Sequence, residues 1–484
     1  MTKQKRLIAT LALLLANFMG GLDATIINTA LPAITSALNG IRLIGWVTAS
    51  FLFGTAVTTI LWGRVGELIG NKRTFQISVL LFVASSFLGG FSTTMGVLIA
   101  MRALMGIGAG GMISIPFIIY ARLYPDPAQR ARAIGWVTAS YTLSTVVGPL
   151  IGGWLVDAFS WRWVFFINVP LGILAALMLQ ATYQEAPVRP TSKYFDSLGA
   201  LGLIVTLTTL LFASDALATS LPRAGILLLC GLVLAALFYR LEKRRGPRAL
   251  VPANLLANWS IQSQNLIMFL FNGFFIAYSV YAPLWAQGLL GTSAVAGGLT
   301  QIAASILLLV GTRMTARLMG SLPYKRIVMV GGLSILLSAI ALVMATKSAP
   351  YWWLIVSGGF DGLGMGLAFT PMQISIQDGV DRELMTSSTT FGLLVRTLGE
   401  TFLAAIFGAV LSLNTKHQLH APLTSRMVNQ LTDPATAKKL PAALLPSLRT
   451  ILFSGIHLIM LIGLGLVVAA LLINWQRPAP RPEK

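Results

Sequence analysis

Leu15-Ala16-Asn17-Phe18-Met19-Gly20-Gly21-Leu22-Asp23-Ala24-Thr25-Ile26-Ile27-Asn28-Thr29-Ala30-Leu31-Pro32 lies inside an apolar run that starts near residue 7. As a helix rising 1.5 Å per residue, about twenty such residues cross the roughly 30 Å hydrocarbon core of a bilayer. One carboxylate, Asp23, interrupts the run. An acidic side chain at that depth disfavours insertion by roughly 2.5–3.5 kcal/mol, so a stretch serving only as an anchor would not carry one. It is kept where it faces a cavity and binds something, and the candidates are a proton and a cation.

The rest of the chain is of the same kind. Of its 484 residues 56% are hydrophobic and 10% charged, the mean hydropathy is +0.78, and an average soluble domain is about a quarter charged. Spans of about twenty apolar residues number fourteen, at about 7–31, 43–62, 74–94, 97–120, 133–156, 163–183, 197–214, 222–239, 262–287, 294–316, 326–346, 351–375, 386–411 and 451–474. The basic N-terminal residues resemble the start of a signal peptide. The first run is too long for one and has no convincing small-residue cleavage site, so an uncleaved span is expected. Cys230 is the single cysteine, lies in an apolar run, and reads as a packing residue.

An even number of spans puts both termini on one side, and lysine and arginine collect in cytoplasmic loops. With the N-terminus inside, 24 of the 35 basic residues fall in inner segments and nine in outer ones; Arg102 and Arg396 lie within spans. Five of the nine belong to one long outer segment at about 412–450, where the rule loses force. The formal net charge of +20 thus reflects orientation and attraction to anionic lipid headgroups. Scattered over alternate loops, these charges form no single basic face for nucleic acid.

Loop lengths divide the chain into a first six-helix bundle at 1–190, two additional helices at 191–245, and a second six-helix bundle at 246–484. The basic, proline-containing segment 240–261 precedes the second bundle. Gly45-Trp46-Val47-Thr48-Ala49-Ser50 recurs as Gly135-Trp136-Val137-Thr138-Ala139-Ser140 at the starts of spans 2 and 5. Those spans run in opposite directions, as an inverted three-plus-three repeat requires.

Five stretches resemble signatures of the major facilitator superfamily. Gly63-Arg64-Val65-Gly66-Glu67-Leu68-Ile69-Gly70-Asn71-Lys72-Arg73 resembles its cytoplasmic loop motif, in which an acidic residue and following basic residues latch neighbouring helix ends. Here Glu67 stands for the usual aspartate, and Leu68 and Asn71 stand where basic residues are common. Gly148-Pro149-Leu150-Ile151-Gly152-Gly153 resembles the span 5 motif of its antiporters; the small residues Ser144, Gly148 and Gly152 permit close helix approach and the proline bends the helix. Residues 17–32, Trp161-Arg162-Trp163-Val164-Phe165-Phe166-Ile167-Asn168-Val169-Pro170, and Leu98 with Arg102 and Gly106 resemble motifs of the fourteen-helix drug:proton antiporters. The resemblance spans nearly the whole chain and is strongest in the first half.

It implies an all-α polytopic fold of two six-helix bundles with inverted repeats plus two central helices. It also implies export of lipophilic, cationic or zwitterionic compounds from the cytoplasm in exchange for protons, across the cell membrane and with both termini inside. The partners are then small lipophilic substrates, protons and lipids. No cofactor is expected beyond the proton gradient, and the chain is expected to act as a monomer. The alternative is proton-coupled transport of a narrow endogenous metabolite or nutrient.

Asp23 lies about 24 Å along span 1 from the inside, and Arg102 enters span 4 from outside, so both fall in the outer half. They are the candidate proton-coupling pair, with a static ion pair as the other reading. Candidate substrate-binding residues are Asp23, Asp361, Arg396 and Glu400, with Phe18, Trp46, Trp136 and Tyr141 as aromatic lining, and Met19, Phe274 and Met372 beside them; at each of these seven apolar positions core or lipid packing is the favoured alternative. Arg396 and Glu400 are four apart on one helix face and are equally able to neutralise each other. Candidate conformational residues are Gly63, Glu67, Gly70, Lys72, Arg73, Gly148, Pro149, Gly152 and Gly153. No phosphate-cradling loop and no His-Glu-x-x-His occurs, which argues against an ATP-driven pump and a metallohydrolase. The outer segment at about 412–450 reads as short amphipathic helices forming a lid or a passive cap.

Overall fold

The computed structural model describes residues 2–124, 127–185, 197–217, 219–246, 255, 258–319, 321–378 and 385–477; within its helices a few side chains, Arg64 and Glu67 among them, lie outside the description. Among the described residues there are no strands. The long helices are α1 (Lys3–Leu38), α2 (Ile44–Ile69), α3 (Asn71–Gly90), α4 (Met95–Leu123), α5 (Pro127–Ala158), α6 (Asn168–Thr182), α7 (Ser197–Ala216) and α8 (Leu221–Arg245). They continue as α9 (Trp259–Leu284), α10 (Ala294–Leu318), α11 (Tyr324–Met344), α12 (Tyr351–Asp378), α13 (Met385–Gln418) and α14 (Leu445–Gln476). Eleven segments of the described chain are long and apolar enough to cross a membrane. Exposed apolar side chains point the same way: on α8, Leu221, Ile226 and Leu229 are open to the surroundings, which water would not tolerate over so large a face.

Local sequence sets the helix ends. Thr2 caps α1 by accepting from the Lys5 amide, and α1 stops at Asn39, whose left-handed backbone ends the ladder. Thr94 caps α4 in the same way through Val97. Between α2 and α3 the chain turns on Gly70 at φ 96°, a conformation that a side chain would strain.

The chain divides into two compact units, Met1–Phe195 with Ser293–Gly298, and Asp196–Thr292 with Leu299–Lys484. In the first, α1 packs along α5 and α2 along α4. Exchanging the first three helices with the next three maps one of these pairs onto the other, the pattern of an inverted repeat. Small residues permit the approach: a Cβ at Gly106 would strike the Phe51 carbonyl, and one at Gly148 or Gly152 would strike the Thr25 or Thr29 hydroxyl. The second unit repeats the scheme, with α9 along α13 and Gly362 and Gly366 of α12 against the Ala304 and Leu308 carbonyls of α10. Helices α7 and α8 pack on each other, and α7 also packs on α13.

The outer segment is shorter than its hydropathy implies. Helix α13 runs on to Gln418 and α14 begins at Leu445, because polar side chains beyond the apolar run hold the two ends together. Asn414 donates to Ser454 Oγ at 2.8 Å, and Gln418 bonds both residues at 3.1 Å. Between them, Ser425–Leu431 packs on α14 and buries Val428 and Leu431.

Candidate functional site

In the first unit, four helices bring polar side chains to one buried point. Asp23 of α1 is 1% exposed and Arg102 of α4 is 0% exposed. Arg102 Nη1 donates to Asp23 Oδ2 at 2.5 Å. The guanidinium is held from behind: Nε donates to the Val47 carbonyl at 3.2 Å and the group lies 4.2 Å from the Phe51 ring centroid. Both anchors belong to α2, which the glycine contact at Gly106 brings against α4. The second aspartate oxygen is also occupied. Asn168 Nδ2, at the start of α6, donates to Oδ1 at 3.1 Å and is shared with Ser86 Oγ of α3 at 3.1 Å; Ser86 in turn donates to the Phe165 carbonyl at 2.8 Å.

The sequence-level pair Asp23 and Arg102 therefore meets. Asn168 and Ser86 were not singled out, although Asn168 lies inside the Trp161–Pro170 motif; a polar residue directly after an aromatic-rich apolar turn was the signal. Two polar atoms of the cluster, Arg102 Nη2 and Asn168 Oδ1, are buried without a hydrogen-bond partner. The aspartate thus accepts from one charged and one neutral donor.

The aromatic candidates of this unit are spread out. Phe18 and Trp46 are half-buried, Trp136 is 50% exposed, and Tyr141 lies beside Gly21 of α1. Met19 is fully buried against Gly172.

At the α2–α3 turn, Gly63 has open space around it and Arg73 is exposed, while the side chain of Glu67 lies outside the described residues. The carboxylate observed at the start of α3 is Glu185, three residues beyond the end of α6. Its Oε1 accepts from the Asn71 amide and side chain at 3.0 Å, its Oε2 from the Lys72 amide at 2.9 Å, and Arg122 at the end of α4 donates to Oε1 at 2.6 Å. Lys72 Nζ reaches the Gln180 carbonyl at 3.0 Å. An anion here faces the positive end of the α3 dipole. Burial first, and the Glu185 charge second, push the adjoining Tyr183 phenol above its ordinary value. Sequence reading missed Glu185 because it is remote in the chain from the loop it closes. Pro149 sits inside α5, and Gly153 lies against the Val295 backbone of the same unit.

In the second unit, Arg396 Nε of α13 donates to Glu400 Oε1 and to Asn272 Oδ1 of α9, both at 3.2 Å, and its guanidinium lies 4.9 Å from the Phe369 ring of α12. The local pairing expected from their spacing is present. The arginine side chain is 31% exposed and the glutamate 10%, so the pair remains reachable at one edge. Asn272 and Phe369 were not legible beforehand, because the helices that carry them meet α13 only in three dimensions. Phe274 and Met372, for which core packing is the favoured alternative to lining, are fully buried; Phe274 fills the space beside Gly463. Asp361 is 0% exposed, and neither of its oxygens has a hydrogen-bond partner. Among the described residues no cluster of three His, Cys, Asp or Glu side chains has the arrangement of a metal site.

The chain is similar over its full length to known transporters. It is 28% identical over 531 aligned residues to the multidrug transporter protein MdtP of Bacillus subtilis (strain 168), covering 100% of this chain and 95% of that one. It is 26% identical to multidrug resistance protein 3 of the same organism, covering 97% and 94%. Among solved structures, a bacterial homolog to the human lysosomal transporter Spinster, in an inward-facing and occupied conformation, superposes with a TM-score of 0.71 at 16% identity, covering 98% of this chain and 97% of that one. A D-xylose-proton symporter does so with 0.68 at 14%, covering 99% of both. The model of the Major Facilitator Superfamily matches residues 13–404. With an all-helical fold among the described residues and charged side chains buried in apolar helices, the chain belongs to the major facilitator superfamily, and is a multi-pass membrane transporter and not an enzyme.

Proposed function

We propose that the protein exports lipophilic cationic or zwitterionic compounds from the cytoplasm in exchange for protons. The single observation that carries the reading is Asp23, buried at 1% exposure yet tied to only two donors, Arg102 and Asn168. When Asp23 takes a proton, its attraction for Arg102 is lost and a buried cation is left without its counter-ion, which is costly. That cost drives rearrangement of α1 against α4, and return of the proton to the other side resets the pair. The names of the two bacterial relatives support drugs as the class of compound carried.

Substrate recognition is assigned to the second unit at Arg396, Glu400 and Phe369. A lipophilic cation gains from the glutamate and from the aromatic face, and a zwitterion engages both members of the pair. The aromatic side chains Phe18, Trp46, Trp136 and Tyr141 are proposed to add adaptable apolar lining. At the cytoplasmic face, Glu185, Lys72 and Arg122 join the loop of Gly63, Glu67, Gly70 and Arg73 as the latch. We further propose fourteen spans, with both termini in the cytoplasm and the protein in the cell membrane. Beyond the eleven apolar segments, α5 and α7 contain shorter apolar stretches at Val146–Ala158 and Leu198–Ser214, and α12 is 28 residues long.

Reconstitution into liposomes with an imposed pH gradient tests the proposal, with ethidium as a fluorescent lipophilic cation. Wild type is expected to accumulate ethidium against its gradient, and Asp23→Asn to lose uphill transport while still exchanging ethidium downhill. Unchanged uphill transport by Asp23→Asn refutes the coupling role. Transport of a single metabolite class with no ethidium movement favours the narrow-substrate alternative.

A further inference from the structure

A second intramembrane carboxylate remains outside this scheme. Asp361 lies ten residues into α12, about 15 Å from its outer end, near the middle of a hydrocarbon core roughly 30 Å thick. It is 0% exposed. Among the described residues no group donates a hydrogen bond to either oxygen.

Apart from the Tyr281 hydroxyl, each ionisable group on the helices around it is either committed or at the far end of its helix. On α9, the Tyr278 hydroxyl sits against Gly358, one turn from Asp361, but donates to the Thr300 carbonyl at 2.5 Å and to the Leu354 carbonyl at 3.0 Å. Tyr281, also on α9, has its hydroxyl buried without a partner. On α10, Arg313 and Arg317 are exposed near the inner end, five residues or fewer from the last residue of that helix. On α11, Arg326 is exposed at the inner end and Lys325 donates to the Trp475 and Arg477 carbonyls. On α13, Arg396 is bonded to Glu400 and Asn272, and Lys416 and His417 are at the outer end. On α12 itself, Tyr351 is at the outer terminus and Asp378 at the inner one.

An ionised carboxylate in such a place has nothing to offset the loss of its hydration. A protonated one is neutral and forfeits only ordinary hydrogen bonding. Metal cations need several oxygen ligands at once, and among the described residues no cluster of three His, Cys, Asp or Glu side chains is present. A proton needs one oxygen.

We infer that Asp361 is a second proton-binding site of the transport cycle, occupied in the state described here and separate from Asp23. The inference rests on proton coupling as proposed above. With Asp23 it brings the count to two protons per cycle, one in each unit.

Two measurements separate this claim from that of Asp23. Infrared spectra of the purified protein in liposomes at neutral pH are expected to contain a protonated-carboxyl C=O band that is absent in Asp361→Asn and retained in Asp23→Asn. This readout needs no transport, so it survives failure of the coupling proposal. If wild type and Asp361→Asn give the same spectrum, Asp361 is ionised and the inference is overturned. The second measurement is the steady-state ethidium gradient per unit of imposed pH difference, with the membrane potential clamped at zero. Each coupled proton multiplies the attainable gradient about tenfold per pH unit. Wild type is expected to reach about a hundredfold and Asp361→Asn about tenfold; an equal gradient in the two proteins excludes a role in coupling. Because asparagine is close in shape to a neutral aspartic acid, the variant is expected to fold, and an unchanged melting temperature at neutral pH verifies it.

Discussion

Replacing Arg102 by methionine removes the cation from a pair that is almost entirely enclosed. Three interactions go with it: the bond to Asp23 Oδ2, the bond to the Val47 carbonyl, and the stacking on Phe51. Leaving one member of a buried pair unmatched costs about 3–5 kcal/mol, and the lost cation–π contact adds about 0.5–2 kcal/mol. Most of that cost depends on Asp23 staying charged. Once the orphaned carboxylate is protonated, the penalty falls to that of an imperfectly bonded neutral group, about 1–3 kcal/mol. In this variant the folded state therefore binds a proton more readily than the unfolded state. Its stability is greater at low pH and falls as pH rises. The double variant Asp23→Asn with Arg102→Met removes the orphan charge, and above pH 7 it is expected to be more stable than Arg102→Met alone by about 2 kcal/mol. Denaturant unfolding in micelles from pH 5 to pH 8 reads all four corners of the cycle. If the two substitutions add to within about 0.5 kcal/mol across that range, the pair is not energetically coupled and the account of Asp23 is wrong.

Asn168→Leu removes the neutral donor to Asp23 and is expected to shift the pH dependence of ethidium exchange while leaving its KM unchanged; an unshifted profile assigns Asn168 a packing role only. Glu185→Gln weakens the anion at the start of α3 by about 0.5–2 kcal/mol, and hydrogen exchange at the Asn71 and Lys72 amides is expected to rise accordingly, with no rise refuting the cap. Glu400→Gln leaves Arg396 without its anion, so ethidium affinity is expected to drop about tenfold, a loss of about 1.4 kcal/mol, while a neutral lipophilic dye of similar size is unaffected. Equal loss for both dyes contradicts a charge-reading role.

Much of the architecture was legible in the chain. The long apolar helices and the meeting of Asp23 with Arg102 depend on runs of about twenty residues and on distance along a helix, which are local quantities. The close pairing of α1 with α5 was also foreshadowed, by Gly148 and Gly152. Less of the site was visible. Phe274 and Met372 carry the same apolar character as true lining residues, and only packing reveals that they are enclosed.

Sequence by itself determined that this protein lives in a bilayer, that it is built of long apolar helices, and that it carries carboxylates where lipid would forbid idle ones. Tertiary structure decided which groups these carboxylates bond: Asp23 two donors from different helices, Glu400 a neighbour on its own helix, Glu185 the end of a helix more than a hundred residues away, and Asp361 no donor among the described residues. The physical reason is that insertion energy is summed along a segment, whereas the charge state of a buried group depends on the few atoms within about 3 Å. Those atoms arrive on other helices, at angles and heights that glycine contacts set and that no single segment encodes.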